Sequence, residues 1–348
     1  MDMSSKIKQL RYRRSLTQEQ LAEKLNVSPQ AVSKWENAAA MPDIALLPAL
    51  AEELGVSIDE LFDLTKEQKL RRIENRMEME EELAADVFRD YEEFLTELSG
   101  QPEDRLEALS LLARLYHHRM EADARRASRF ARETVRLAPE KKDCQWLLQK
   151  AEGAVVWDWN VANHSKVIDF YKEVIENDHV EPKTPLPYYD LIDNLLADHR
   201  AKEAETFLEA LQKLPAHRPF LVPVYRAYIA LARFDEKTAD AIMEKAVVDF
   251  AQEGDMFFEA AQYYARKCDW EKAVDYYEKS YASDVQHKPR FTDALEGIAM
   301  IHEIKGEYKE AAATYDRILN NLRDEWGMTE ETAVHDAERE KERLLKKR

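Results

Sequence analysis

Glycine is scarce in this chain, with only seven residues among 348. Glycine supplies the positive φ angles that tight β-hairpin turns require. Its scarcity favours helices throughout, and the sequence contains no glycine-rich loop of the kind that cradles phosphate. We therefore expect an all-α fold without a phosphate-binding loop.

Cysteine is almost absent as well, since Cys144 and Cys268 stand alone and far apart. This usage fits a reducing cytoplasm, argues against a disulfide scaffold and leaves no CxxC pair for zinc. His117 and His118 are adjacent, so on a helix their rings point to different faces and cannot clamp a metal together. No acid–base pair stands out among the carboxylates. We therefore expect no metal, no cofactor, no catalytic residue and no enzymatic activity.

Long apolar runs are missing too. No run reaches the roughly 18 residues that a membrane span requires. The first ten residues, MDMSSKIKQL, lack the apolar core of a signal peptide. We expect a cytoplasmic protein that does not contact a membrane.

The net charge of −18 is unevenly distributed. Residues 1–40 carry seven lysines and arginines against four acids, whereas the remaining 308 residues carry 44 bases and 65 acids. An acidic body is repelled by phosphate, which limits non-specific DNA binding and favours contact through the mildly basic N-terminal end.

Residues 17–37, TQEQLAEKLNVSPQAVSKWEN, have the pattern of two short helices joined by a tight turn. Thr17 and Gln20 fit a capping box at the first helix. Ser28 before Pro29 fits the start of the second, with a hydroxyl cap and proline at the first helical position. This spacing predicts a helix-turn-helix.

The second helix has an apolar back and a polar front. At about 100° per residue, Trp35 lies roughly 60° from Val32 on the same side. Ser33 lies near the edge. The opposite face holds Gln30, Lys34 and Asn37. Such a face can offer hydrogen-bond donors to base edges and phosphates in a major groove.

Residues 6–63 resemble the Cro/C1-type (XRE) helix-turn-helix domain of the lambdoid phage repressors. The resemblance implies five helices, the third of which enters the major groove of double-stranded DNA. Carried over by position, bases are contacted by Gln30, Ser33 and Lys34, Ser28 and Pro29 lie at the tip of that helix, and phosphates are held by Gln18 and Asn37.

The resemblance also implies a partly buried ion pair between Arg11 and Glu36. One departure stands at residues 38–40, where three alanines replace the glycine and basic residue of many family members. We expect Asn37 to take the left-handed conformation in place of glycine, and a phosphate contact to be lost. Pro48 is expected near the start of its helix, because an interior proline removes a hydrogen bond.

A repeat with a 38-residue period fills the C-terminal part. The positions Phe257, Ala260, Ala261, Tyr264, Ala273, Tyr277 and Ser280 recur as Leu295, Ile298, Ala299, His302, Ala311, Tyr315 and Ile318. This is the tetratricopeptide (TPR) pattern of antiparallel helix pairs with small residues at the crossings. Weaker copies are predicted at 109–139, 146–174, 189–211 and 225–248, and a charged final helix after Thr329.

The predicted domains are therefore a Cro/C1-type domain at 1–64, linker helices at 65–99 and a TPR-like α-solenoid at 100–348. Apolar stripes within 65–98 fit packing inside the chain better than a dimer interface, although a dimer interface there stays open. Paired DNA-binding domains match paired half-sites, so we expect a homodimer.

The first helix of each pair should line a concave groove. From the repeat pattern, that groove is lined by Asp190, Asn194, Asp198, Gln262, Arg266, Glu296, Met300 and Glu303. This mostly acidic set favours a basic or neutral peptide, or a protein segment, as effector.

Two readings of the whole chain stay open. Fusion of the two domain types resembles the peptide-responsive regulators of Gram-positive bacteria, which implies a sequence-specific transcription regulator. The alternative is a TPR interaction scaffold or antitoxin-like adaptor with only weak DNA binding.

Overall fold

The computed structural model describes residues 3–56, 58–61, 65–154, 163–177, 183–283 and 288–347. This part of the chain is all-α, as predicted, and no strand occurs in it. Contacts divide the chain into two compact units, Met1–Asp123 and Ala124–Arg348.

The first unit begins with five helices. These are α1 (Met3–Arg13), α2 (Gln18–Lys24), α3 (Pro29–Glu36), α4 (Leu47–Leu54) and α5 (Ile58–Leu61). Helix α1 packs against α3, α4 and α5, and α2 packs against α3. Their shared core is built by Ile7, Leu10, Leu21, Val32, Leu50, Leu54 and Leu61. Pro48 lies in the first turn of α4, as predicted.

Three further helices complete this unit: α6 (Lys66–Met79), α7 (Ala85–Ser99) and the start of α8 (Arg105–Leu137). The predicted stripes of α6 and α7 meet in one apolar cluster with α8. Its buried members include Leu70, Ile73, Met77, Tyr91, Leu95, Leu98, Ala108, Leu111 and Leu115. The prediction that these stripes pack inside the chain is confirmed.

Helix α8 corrects one sequence prediction. A turn was expected between two helices of a first repeat at 109–139, but Arg105–Leu137 form one continuous helix. The reason is local, since no glycine or proline stands between these residues and strong helix formers fill the predicted turn.

The second unit continues with α9 (Lys142–Ala151) and α10 (Ser165–Asn177), followed by consecutive pairs. The pairs are α11 (Leu186–Ala197) with α12 (Ala201–Leu211), α13 (Leu221–Ala232) with α14 (Glu236–Asp249), α15 (Gly254–Arg266) with α16 (Trp270–Ser283), and α17 (Asp293–Ile304) with α18 (Tyr308–Asp324). A last helix, α19 (Thr332–Leu345), packs on α18. Residues 155–162, inside the repeat predicted at 146–174, lie outside the described residues.

Small side chains lie where the helices of a pair meet. Ala204, Ala239, Ala260, Ala273 and Ala311 are fully buried, which allows close approach of the two backbones. The helix pairs predicted from 189, 225, 257 and 295 onwards are therefore confirmed, as is the final helix. First helices of successive pairs also touch, α11 with α13 and α13 with α15. We call the face formed by α11, α13, α15 and α17 the first-helix surface.

Candidate nucleic-acid interface and first-helix surface

The start of each helix of the helix-turn-helix is fixed by its own side chains. The Thr17 hydroxyl accepts from the Gln20 backbone N–H at 3.2 Å, and the Gln20 side chain accepts from the Thr17 N–H at 2.8 Å. The Ser28 hydroxyl accepts from the Ala31 N–H at 3.2 Å, with Pro29 opening α3. Both predicted caps are confirmed, so α3 begins at Pro29 for local chemical reasons.

The two faces of α3 differ in the predicted way. Val32 has no exposed surface and Trp35 is 5% exposed, so both fix the helix to the core. Gln30 and Lys34 are exposed, and Ser33 is half-buried at the edge. An amide and an ammonium group are therefore presented outward from a helix whose back is anchored.

A buried ion pair holds the C-terminal end of α3 to α1. The Arg11 guanidinium donates to both Glu36 carboxylate oxygens, at 2.5 and 2.9 Å, and to the Leu16 carbonyl at 2.8 Å. Burial opposes the charge on Glu36, yet hydrogen bonds from Arg11 and Gln18 hold its pKa below the usual value. The predicted Arg11–Glu36 pair is present.

Gln18 takes part in this network. Its side-chain amide donates to Glu36 at 2.7 Å, so the side chain anchors α3. Its backbone N–H lies in the first turn of α2, where such groups have no partner within the helix. This N–H is the group of Gln18 that can hold a phosphate without breaking the network.

The end of α3 departs from the sequence prediction at Asn37. Asn37 has φ −102°, and the left-handed residue is Ala38 with φ +57°. The Ala39 N–H returns to the Lys34 carbonyl and the Ala38 N–H to the Trp35 carbonyl, which is the Schellman pattern. That pattern requires the left-handed residue one position after the cap. Asn37 instead donates its amide to the Ser33 carbonyl at 2.9 Å.

Of the eight predicted groove residues, five are exposed, and the other three are half-buried and make hydrogen bonds within the chain. The exposed ones are Asp190, Gln262, Arg266, Glu296 and Met300. Asn194 is half-buried and donates to the Asp190 carbonyl of its own helix at 2.8 Å. These residues lie on α11, α15 and α17, which are first helices of their pairs.

Two of the predicted residues hold the fold together. The Asp198 carboxylate accepts from the backbone N–H of His164 at 3.1 Å and lies 2.5 Å from its ring Nδ1. Glu303 accepts two hydrogen bonds from Arg343 and one from Lys347 of the last helical segment, each at 2.6 Å. Either residue would therefore have to break these structural contacts in order to bind an effector.

The sequence prediction omitted two acids of the first-helix surface. Asp193 of α11 is exposed but lies among enough protein atoms that burial raises its pKa to about 6. Burial likewise raises the pKa of Glu259 of α15 to about 7, and the charge of Asp193 adds to this rise. Both lie three residues from predicted positions, Asp190 and Gln262, a spacing that places them on the same helix face.

The charge of Arg266 lowers the pKa of both acids, and that of Arg218 also lowers the pKa of Glu259. The Arg266 guanidinium lies 4.6 Å from the centroid of the Tyr228 ring on α13. A cavity of about 650 Å³ opens beside Glu259, and its lining includes Arg218, Asp255, Phe258, Tyr281 and Phe291. The surface thus combines aromatic walls with an excess of carboxylates.

Comparison with known proteins identifies the N-terminal part. Residues 7–61 match the family described as Helix-turn-helix. The HTH-type transcriptional activator BcrR of Enterococcus faecalis is 42% identical over 76 residues, which are 22% of this chain and 37% of that protein. The chain thus spans little more than a third of this relative's length.

Solved structures that align with nearly the whole of this chain do so with low sequence identity and low TM-scores. PlcR of Bacillus thuringiensis, in complex with the peptide PapR7 and DNA, is 14% identical, with 99% of each chain covered and a TM-score of 0.23. The apo competence regulator ComR of Streptococcus vestibularis is also 14% identical, with 98% and 97% covered and a TM-score of 0.26. Scores of this size do not establish a shared arrangement of helices.

Among the described residues, none of the helices combines the length and the apolar character that crossing a bilayer demands. The same residues contain no group of three or more His, Cys, Asp or Glu side chains arranged to hold a metal ion.

Proposed function

We propose that this chain is a sequence-specific transcription regulator that inserts α3 into the major groove of DNA. The observation that carries this proposal is the outward placement of Gln30 and Lys34 on a helix anchored by Val32 and Trp35. An exposed amide can pair with adenine in the major groove, and an ammonium with guanine or phosphate. Ser33, at the edge, is close enough to that face to contact the same groove.

The ends of α2 and α3 supply the remaining contacts of the proposed interface. The first-turn N–H of Gln18 and the exposed tip at Ser28 and Pro29 offer groups for the DNA backbone. The Asn37 amide nitrogen donates to the Ser33 carbonyl with one of its two N–H groups, and the other can donate to a phosphate. The alanines at 38–40 offer no basic side chain, so affinity rests on a short set of contacts.

The test is DNA binding by the full chain with Gln30→Ala and Lys34→Ala, on a site selected from random duplexes by the wild type. We expect the double variant to lose affinity for that site by at least about 30-fold, because each good base contact contributes ~1–3 kcal/mol. The far-ultraviolet circular dichroism should not change, since both side chains are exposed.

The matched control is Gln101→Ala with Lys237→Ala, which removes the same two side-chain types at exposed positions outside residues 7–61. This control should bind like the wild type. If the α3 variant keeps wild-type affinity, the regulator proposal fails and the adaptor alternative becomes the better account.

We further propose that the first-helix surface binds a peptide or protein effector that presents a cation. Burial disfavours the charges of Asp193 and Glu259, repulsion from Asp193 adds to this effect at Glu259, and Arg266 offsets it only in part. A positively charged guest would relieve that repulsion. Because both carboxyls have a raised pKa, they ionise between about pH 6 and pH 7, so a basic guest should bind more tightly at pH 8 than at pH 5.

Calorimetric titration of the full chain with short peptides secreted by its own organism tests this second step. We expect saturable heat from a basic peptide at pH 8, weaker binding at pH 5, and loss of that difference in Asp193→Asn with Glu259→Gln. The control, Glu310→Gln with Asp324→Asn, removes two exposed acids from α18. If no peptide produces heat, the effector proposal fails while the DNA proposal stands.

A further inference from the structure

One face of α8 is apolar and exposed along its first four turns. Leu106 is 84% exposed, Leu109 46%, Tyr116 49% and Met120 60%. Ala113, between them on the same face, is also exposed. We call these five residues the α8 seam. None of these five positions carries a charge, and four of them hold large apolar side chains that are exposed.

The seam has the spacing of a coiled coil. Its members alternate at steps of three and four residues, from 106 through 109, 113 and 116 to 120, which is the a/d pattern of a heptad. At the same spacing the next positions are Asp123, Ala127, Phe130, Thr134 and Leu137, so the uncharged stripe ends at Met120.

The opposite face of α8 is already used inside the chain. Ala108, Leu111 and Leu115 are buried against side chains of α6 and α7. The seam residues Leu106, Leu109 and Met120 do not belong to that cluster. Tyr116 touches it at one edge, with its ring centroid 5.5 Å from that of Phe88. Helix α8 therefore has two apolar faces, and the described residues of the first unit cover only one.

We propose that the α8 seam pairs with the α8 seam of a second copy of this chain, and that this pairing forms the homodimer. A heptad stripe is self-complementary, since each side chain fits between those of an identical helix in a two-fold interface. The sequence left open a dimer interface at the apolar stripes of α6 and α7. In the structure, these stripes are buried in the core of the same chain. This inference rests on the proposed function, because a DNA site made of two half-sites is bound by two DNA-binding domains.

The test is sedimentation velocity of the full chain carrying Leu109→Glu and Met120→Glu. We expect a dimeric wild type and a dimer dissociation constant raised by about 100-fold or more in the variant, because four carboxylates would have to enter one apolar interface. Neither side chain lies in the intrachain core, so the melting temperature of the variant at low concentration should match that of the wild type. Val248→Glu, which puts a carboxylate at an exposed apolar position of α14, should stay dimeric.

A wild type that stays monomeric across micromolar concentrations would overturn the proposal, and so would a double variant that dimerises like the wild type. A monomeric wild type would leave the seam to another protein. Failure here is distinct from failure of the proposed function, because Gln30→Ala with Lys34→Ala removes DNA contacts and leaves the seam intact. The seam variant should keep those contacts but lose affinity for paired half-sites.

Discussion

Arg11 and Glu36 join the C-terminal end of α3 to α1 through a buried ion pair. Both are buried, and their side chains satisfy each other's charge. A buried pair of this kind contributes little net stability, but removing one partner leaves the other charge buried without a partner. The pair therefore joins α3 to α1, and we expect substitution of either residue alone to be strongly destabilising.

We expect Arg11→Met to destabilise the first five helices by about 3–5 kcal/mol, because Glu36 loses its partner. Combining it with Glu36→Leu should recover most of that loss, since no charge then stays buried. Hydrogen exchange of the Ile7 and Leu21 amides in the full chain measures the effect locally. Arg13→Met, at an exposed position of α1, is the control and should change little.

The pair also sets a pH limit on this part of the fold. The pKa of Glu36 is lowered, so its contribution to stability is present at neutral pH and is lost as the pH falls through that lowered value.

If Arg11→Met and the double variant with Glu36→Leu were equally destabilised, packing and not charge would explain the effect.

Residues whose role is set by near neighbours were predictable from the sequence. The caps at Thr17 and Ser28 and the anchoring by Val32 and Trp35 follow from local chemistry, and all are present. The prediction for Asn37 was wrong because the hydrogen bonds at the end of α3 require the left-handed residue one position later, at Ala38. The DNA contacts themselves stay predictions.

Asp193 and Glu259 were omitted for a different reason. Their raised pKa values depend on atoms from helices that are distant in sequence, which residue spacing on one helix does not reveal. Glu303 was placed in the groove by the same spacing rule. Its partners Arg343 and Lys347 lie about one repeat further along the chain.

At the scale of elements, close approach at small residues matters within helix pairs and also between them. Gly297 of α17 faces α16 of the preceding pair and is the tightest such position among the described glycines within a helix, since a Cβ built there would lie 2.7 Å from Cζ of Tyr277. The pattern of small residues predicted the pairs, but the sequence alone does not show which small residue tolerates no added carbon.

We expect Gly297→Ala to lower the free energy of unfolding by about 1–3 kcal/mol, because the clash with Tyr277 outweighs the better helix propensity of alanine. Urea unfolding of the full chain, followed by circular dichroism, measures it. Gly254→Ala at the start of α15, where the nearest atom is the Ser283 hydroxyl at 3.3 Å, should have a much smaller effect. A more stable Gly297→Ala protein would show that α16 and α17 separate easily.

Helix α8 shows where repeat spacing misleads. The periodicity of the later pairs suggested a turn near residue 121, but a turn also needs residues that stop a helix. The segment EADA at 121–124 consists of residues compatible with a helix and contains no breaker. The exposed heptad stripe lies on the N-terminal half of this helix, before the position of the expected turn.

For the whole molecule, charge is distributed in a way that suits a selective DNA binder. The first 40 residues are mildly basic, and the remainder is strongly acidic. If the proposed function holds, repulsion between that remainder and phosphate should lower affinity for arbitrary DNA, and we expect contacts by α3 to supply most of the specific binding. Two copies joined through α8 would present two such helices, which doubles the contacts on a paired site.

The most direct measurement is a genome-wide map of DNA bound by the chain in its own organism, for the wild type and for Gln30→Ala with Lys34→Ala at equal protein levels. We predict that the wild type occupies inverted repeats whose half-sites lie about one DNA turn apart, roughly 34 Å. The variant should leave all of these sites. Recovery of the same sites with the variant would contradict the account, because the outward face of α3 would then not be what reads the DNA.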